Sequence, residues 1–374
     1  MKVGIVVPFS WTFWGAVNEH AELQAAALRS HGVDSRTLIG NDPPGQFTRV
    51  LHPRVARHGE PPPDVIPVGR SVIVPANGSL PNIVLSPRVF YRIRAALERE
   101  RFDVLHLHEP MTPAICIITL ALARTIPIVA TFHASGELGW MRAARHVWRP
   151  VIGNIDYRIA VSPMAADSAA RWLPGDYHVI PNGVLIPPAA DPGRREHRIL
   201  FAGRHEPRKG LRVLLEAWPE IRRRTGVRLR IAGADPLAVR LLLQRTHISD
   251  EGVDILGFLS QEDLTAEILS AKALVAPSLG GESFGMVLTR AFACATPVVA
   301  SDITGYRDVM TPGTGLMCPP GDPRALADAI ESLLADEARR EALGAGARQV
   351  AIANYSWDDI GRRLIDVYEQ VLAA

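Results

Sequence analysis

The chain has 374 residues, 47% hydrophobic and 21% charged, an ordinary globular balance and too much chain for one core, so two domains are expected. With 41 Lys plus Arg against 39 Asp plus Glu, the formal net charge is +2, which argues against a protein that coats nucleic acid, since neutralising phosphates takes a concentrated basic surface. Three widely separated cysteines, Cys116, Cys294 and Cys318, sit in apolar surroundings; they read as reduced core residues, with no Cys or His spacing that suggests a metal site.

The opening MKVGIVVPFSW lacks a long apolar stretch ending in a cleavage site and reads as a strand. The apolar segment Met111 to Ala123 is interrupted by Pro113 and closed by Arg124, and it falls short of the roughly 20 residues that a spanning helix needs. A soluble, cytoplasmic protein is expected, with attachment to the inner face of the plasma membrane left open.

In chain order, KVGIVVPF is a strand and AVNEHAELQAAALRSHG a helix closed by Gly32. Residues 40 to 82, rich in Pro and Gly, read as an irregular or hairpin-bearing excursion. DVLHLHEP, PIVATFHA, YRIAVSP and YHVIPNG read as later strands. The rhythm then restarts: HRILFAGR, a helix from Gly210 to Thr225, VRLRIAG, a helix around Leu237 to Arg245, VDILGFL, ALVAPSL, a helix after Gly285, and PVVASD. Continuous Val/Ile/Leu runs suit parallel strands buried on both faces, and strands alternating with helices imply doubly wound sheets. Two such series imply an α/β protein of two Rossmann-like domains, with the seam near the Pro- and Gly-rich NGVLIPPAADPGRREH. Ligands of open α/β sheets bind beyond the carboxyl ends of the strands, and two facing domains would set two such edges across one cleft.

Several residues are placed at those edges. In LFAGRHEPRKG, Arg204, Arg208 and Lys209 follow a strand ending at Ala202; fixed cations there suit a diphosphate, and a solvated basic loop is the other reading. In SLGGESFGMVLTRAF, Gly280 and Gly281 let backbone amides approach an anion and Glu282 could accept from sugar hydroxyls; it could equally be a plain helix cap. Gly15 allows a tight turn before the first helix. His133 ends a strand in ATFHASG, as a cleft residue or as a satisfied structural histidine. In the segment 139–152, Arg142, Arg145 and Arg149 share a helical face beside an apolar stripe holding Trp140 and Trp148. That pattern fits a helix lying on anionic lipid, and also an ordinary amphipathic helix on a sheet.

Taken together, FAGRHEPRKG, PSLGGESFGMVLTRAFACATPVVASD and IPNGV resemble the GT-B glycosyltransferases of family four, retaining enzymes that use nucleotide sugars. The order VGIVVPFSW, FDVLHLHEP, IVATFHAS and RIAVSP is similar to that of actinobacterial phosphatidylinositol mannosyltransferases. The resemblance implies parallel sheets facing across a cleft. It implies an acceptor-binding domain over 1–187, completed by a helix over 357–374, and a donor domain over 188–356. It assigns Arg204 and Lys209 to the donor diphosphate, Glu282 to donor-sugar hydroxyls, and His133 to the reaction centre. Gly15, Arg208, Gly281 and the amides of Ser283, Phe284 and Gly285 would contact the donor, with Phe258 near the base. Trp11, Asn18 and Ser135 fall on the acceptor side. The leaving phosphate would itself take the acceptor proton, so no protein nucleophile, cofactor or catalytic metal is implied; the donor would be GDP- or UDP-linked, and the acceptor a lipid or a small polyol.

Three departures stand out. The family pattern places a second Glu eight residues after the first, where this chain has Arg290; a guanidinium accepts no ribose hydroxyl, though it could still donate to a ribose oxygen or reach a phosphate of the donor, and losing a charged partner costs about 1–3 kcal/mol of donor binding. A nucleotide-sugar-binding protein with impaired or no turnover is therefore the alternative. The paired glycine is Gly15-Ala16, and the usual acceptor-loop residues are replaced by WTFW, with Trp11 and Trp14 offering apolar surface.

Overall fold

The computed structural model describes residues 1–13, 15–52, 60–74, 82–133, 151–171, 173–188 and 192–374. The chain divides into two compact units, Met1–Gly183 with Trp357–Ala374, and Val184–Ser356.

In the first unit, strands β1 (Lys2–Ser10), β2 (Asp34–Gly40), β3 (Val65–Gly69), β4 (Ser71–Ile73), β5 (Asn82–Val84), β6 (Val104–His108), β7 (Ile128–Phe132), β8 (Tyr157–Ala160) and β9 (His178–Val179) form one sheet. Its main path runs β3-β2-β1-β6-β7-β8-β9, all parallel, with β4 and β5 paired antiparallel and touching β1 through Phe9 and Ile83. The second unit holds β10 (Glu196–Ala202), β11 (Arg228–Ala232), β12 (Val253–Gly257), β13 (Ala271–Ala276), β14 (Val298–Ser301) and β15 (Gly315–Cys318) in the parallel order β12-β11-β10-β13-β14-β15.

The apolar runs have the expected cause. Along β1, Val3, Ile5 and Val7 join one core with Ile360, Leu364 and Val367 of the last helix, Trp357–Ala373, while Val6 joins another with Leu105, Leu107 and Ile115. Both faces are thus covered, which is why the strand is apolar without alternation. In the second unit Ile199 and Phe201 pack with Leu214, Trp218 and Ile221 of the helix Leu211–Thr225. Among the described residues, no helix is long and apolar enough to cross a membrane. The segment from Met111 folds as a helix only over Ile115–Leu122, with Cys116 buried.

The 40–82 excursion contains the expected hairpin pair, and also an unforeseen helix, Gln46–Leu51, and the parallel edge strand β3. YHVIPNG contributes only the two residues of β9. Two amphipathic helices that the sequence reading does not single out, Pro323–Ala335 and Glu337–Tyr355, complete the second unit.

In each sheet the strand order reverses once, between β1 and β6 and between β10 and β13. At such a point the connections leave to opposite faces and open a crevice at the carboxyl ends of the two strands.

Candidate functional site

The second switch point is where the two suspected donor loops leave the sheet. After β10 the chain turns through Glu206 and a short 3-10 turn, Pro207–Lys209, into Gly210, which starts the helix Leu211–Thr225 with φ +71°. A Cβ at Gly210 would stand 1.8 Å from the carbonyl oxygen of Pro277, just beyond β13. The Leu279 amide donates to the Arg208 carbonyl at 2.7 Å, so the two loops are laced by backbone as well as by side chains.

Their charged groups form one network. Arg208 Nη1 donates to Glu282 Oε1 at 2.9 Å, and Lys209 Nζ reaches both Glu282 oxygens, at 2.8 and 2.9 Å. Ser278 Oγ also donates to Glu282 at 3.3 Å and pairs with the Tyr306 hydroxyl at 2.8 Å. Glu206 bridges Arg204, at 3.0 Å, and Arg208, at 2.9 Å. Three cations share two carboxylates, so the cluster keeps an excess of positive charge at a strand edge, with Glu282 only 8% exposed. The structure therefore gathers Arg208, Lys209 and Glu282 directly, and brings in Arg204 through Glu206.

One expectation needs correction. Glu282 does not cap a helix: the helix is Met286–Ala293, its cap is Gly285 at φ +79°, and Glu282 lies three residues earlier in the loop. Gly281 (φ +69°) needs the left-handed backbone and offers its carbonyl to Arg208 at 2.9 Å. Ser283 is half-buried and Phe284 buried, its ring edge-on to Tyr355 at 5.6 Å. Phe258 stands on the same edge of the sheet, just past β12, and is 68% exposed. Arg290 is half-buried in the last turn of Met286–Ala293.

In the first unit, His133 follows β7, its amide donating to Glu109 Oε1 at 3.0 Å. It does not stand alone. Its Nε2 meets His108 Nδ1 at 2.8 Å, and its ring lies 4.8 Å from that of His20, on the helix Ala16–Ser30. His106 stacks on His108 with ring centroids 4.8 Å apart, and its nitrogens pair with Thr131 Oγ1 at 2.7 Å and the Tyr368 hydroxyl at 2.6 Å. Gln24 donates to that same hydroxyl at 3.0 Å. Burial lowers the pKa of His133 to about 4, partly offset by a hydrogen bond to Asn182, and lowers His106 to about 3, with the nearby His133 adding to the effect. Burial first, and neighbouring imidazoles second, push His20 and His108 well below the usual range. All four rings are neutral at neutral pH, able to give and take hydrogen bonds but carrying no charge.

Of these, the sequence reading named only His133. His106 and His108 were legible as the HLH alternation at the end of a strand, where i and i+2 share a face; His20, Gln24 and Tyr368 carry no comparable signal.

The acceptor-side expectations change. Trp11 is 8% exposed and packs in the core with Val3 and Ile5, so its ring is structural and offers no acceptor surface. Asn18 is buried, and its Nδ2 donates to the carbonyls of Ser10 at 2.7 Å and Phe13 at 3.1 Å, pinning the loop after β1. Gly15 is extended (φ −163°), and a Cβ there would meet only Asn18 Nδ2 at 3.6 Å, so no tight turn demands glycine. Trp14, Ser135 and Arg142, Arg145 and Arg149 of the basic segment lie outside the described residues.

Comparison with known proteins converges on one family. Residues 17–185 match the model described as Glycosyltransferase Family 4, and residues 196–336 the model described as Glycosyl transferases group 1. A phosphatidyl-myo-inositol mannosyltransferase of Mycobacterium leprae is 36% identical over 99% of this chain and 97% of its own. The protein of that name from Propionibacterium freudenreichii is 34% identical over 98% and 94%. Among solved structures, sucrose-phosphate synthase from Thermosynechococcus elongatus superposes with a TM-score of 0.75 at 22% identity, covering both chains fully, which supports the GT-B fold. With two family models in tandem and a full-length relative above 30% identity, the chain belongs to the family 4 glycosyltransferases, enzymes that transfer sugars.

Proposed function

We propose that the enzyme moves a hexose, mannose from GDP-mannose first among the candidates, onto a hydroxyl of a phosphatidylinositol-like lipid acceptor, with retention at the anomeric carbon. The names of the full-length relatives support the sugar and the acceptor. The observation that carries the donor half is the network of Glu282 with Arg208 and Lys209 at the β10–β13 switch point.

That network suggests an exchange. An arriving diphosphate competes with Glu282 for Lys209 and Arg208, and draws Arg204 from its exposed pairing with Glu206. The released lone pairs of Glu282 then accept from sugar hydroxyls. As the glycosidic bond breaks, negative charge grows on the diphosphate, and the fixed cations stabilise it where it develops. Arg290 cannot accept from ribose, so the nucleoside is gripped less tightly than a carboxylate would grip it.

The test incubates purified protein with GDP-mannose or UDP-glucose and phosphatidylinositol vesicles, follows the lipid by mass spectrometry, and reads the anomer by NMR. Mannolipid with retained configuration is expected, with Lys209→Ala lowering kcat/KM for the donor by about 10²–10³-fold. Transfer only from the UDP sugar would overturn the donor, and an inverted anomer the stereochemistry. A nucleotide sugar bound without any transfer would favour the non-catalytic reading that Arg290 raises.

A further inference from the structure

The imidazoles of the first unit are arranged for more than hydrogen bonding. We propose that His20, His108 and His133 form a three-histidine site for a first-row divalent cation of the zinc class. The site stands independently of the donor and acceptor proposed above.

Geometry carries it. One ligand nitrogen from each ring lies within 4.8 Å of those of the other two. The ring centroids are 5.3 Å apart for His20 and His108, 4.8 Å for His20 and His133, and 5.1 Å for His108 and His133. A tetrahedral zinc with Zn–N of about 2.0–2.1 Å holds its ligand nitrogens about 3.3 Å apart. The His108–His133 contact of 2.8 Å would open by about half an ångström, and the widest spacing would close by at most about 1.5 Å, both within the reach of ring rotation.

An unsatisfied atom points the same way. Among the described residues, His20 Nδ1 is buried without a hydrogen-bond partner, and such an atom calls for an explanation of which an ion is one. The three rings come from the carboxyl ends of β6 and β7 and from the helix Ala16–Ser30, a framework of regular elements rather than a surface loop. Glu109, whose Oε1 accepts the His133 amide at 3.0 Å, brings a carboxylate to the edge of the site and offsets part of the cation's charge. Each imidazole binds as a neutral ring, one nitrogen to the cation while the other keeps its N–H. Loading therefore asks for a tautomer shift and releases no proton. Three protein ligands leave a fourth position for water or a ligand oxygen.

The test strips the full chain with EDTA and titrates zinc against a chromophoric chelator at pH 7.5, with X-ray absorption on the loaded protein. We expect one zinc per chain with a dissociation constant at or below about 1 μM, weakened at least about 100-fold in His20→Ala and His108→Ala. His197→Ala, an exposed histidine of the second unit, leaves the affinity unchanged. Wild-type protein holding zinc no tighter than His20→Ala would sink the proposal. If those variants fail to fold, as circular dichroism would show, the wild-type absorption spectrum decides: three imidazole nitrogens near 2.0 Å support the site, and fewer overturn it.

Discussion

Gly210 and Gly226 cap the two ends of the helix Leu211–Thr225, and both are left-handed, at φ +71° and +65°. They differ in one respect. A Cβ at Gly226 has nothing within 4 Å, whereas at Gly210 it would stand 1.8 Å from the Pro277 carbonyl oxygen and 2.6 Å from its carbon. Gly226→Ala therefore measures the backbone term alone, about 1–2 kcal/mol for an L-residue held left-handed. Gly210→Ala adds an overlap that only backbone movement relieves; overpacking of this kind costs a further 1–3 kcal/mol or so. For a folding unit of this size, about 2–4 °C of melting temperature per kcal/mol places Gly226→Ala roughly 2–8 °C below wild type and Gly210→Ala roughly 4–20 °C below. The functional readouts should part further. Pushing the Arg208–Lys209 turn away from Pro277 separates the cations from Glu282, so the thermal stabilisation given by a saturating nucleotide diphosphate should shrink in Gly210→Ala and persist in Gly226→Ala. Differential scanning fluorimetry with and without nucleotide reads both quantities. Equal melting points within about 1 °C, with equal ligand responses, would refute the claim that this close approach builds the site.

Other outcomes follow from single residues. Arg290→Glu should tighten nucleotide-sugar binding by about 1–3 kcal/mol, roughly five- to 150-fold by isothermal titration, because a carboxylate accepts ribose hydroxyls that a guanidinium cannot; no gain would place Arg290 away from the nucleoside. Burial raises the Cys294 thiol to about 12 and Cys318 to about 11, and Cys116 also well above 9, so the folded protein should react with none of its thiols in a disulfide-exchange dye assay at pH 8, and with three after denaturation. The unfolded chain gives up these protons near pH 9, so the stability linked to them is whole below that pH and is lost as the pH rises towards 12. Tyr368→Phe removes the hydroxyl that meets His106 at 2.6 Å and accepts from Gln24 at 3.0 Å; urea melts should show a lower midpoint at unchanged slope, worth about 1–3 kcal/mol, and an unmoved midpoint would mean the buried pairing adds nothing.

Much of this molecule was legible in one dimension because its signals are local. Runs such as KVGIVV and RILFA are apolar without alternation, since each strand is covered on both faces, and their spacing by helical segments announces two doubly wound sheets. The loops at Arg208–Lys209 and Glu282 were found because a strand-to-helix turn bearing glycine and charge is written in consecutive residues. The helices Pro323–Ala335 and Glu337–Tyr355 are equally local signals, with Leu326, Ile330 and Leu333 of the first buried at helical spacing.

What the chain could not announce were relations between distant segments. Trp11 reads as an exposed aromatic beside a loop, and only the fold shows it buried in the core that Val3 and Ile5 of the first strand share with residues from distant parts of the chain. Gly15 reads as a turn, while its backbone is extended and the loop is held instead by Asn18. His133 reads as one histidine, but His20 and His108 meet it from a helix and a neighbouring strand, more than a hundred and some twenty residues away in sequence. Composition and periodicity report what each residue needs from its environment; which residues supply it to one another is settled when the sheet order brings their ends together.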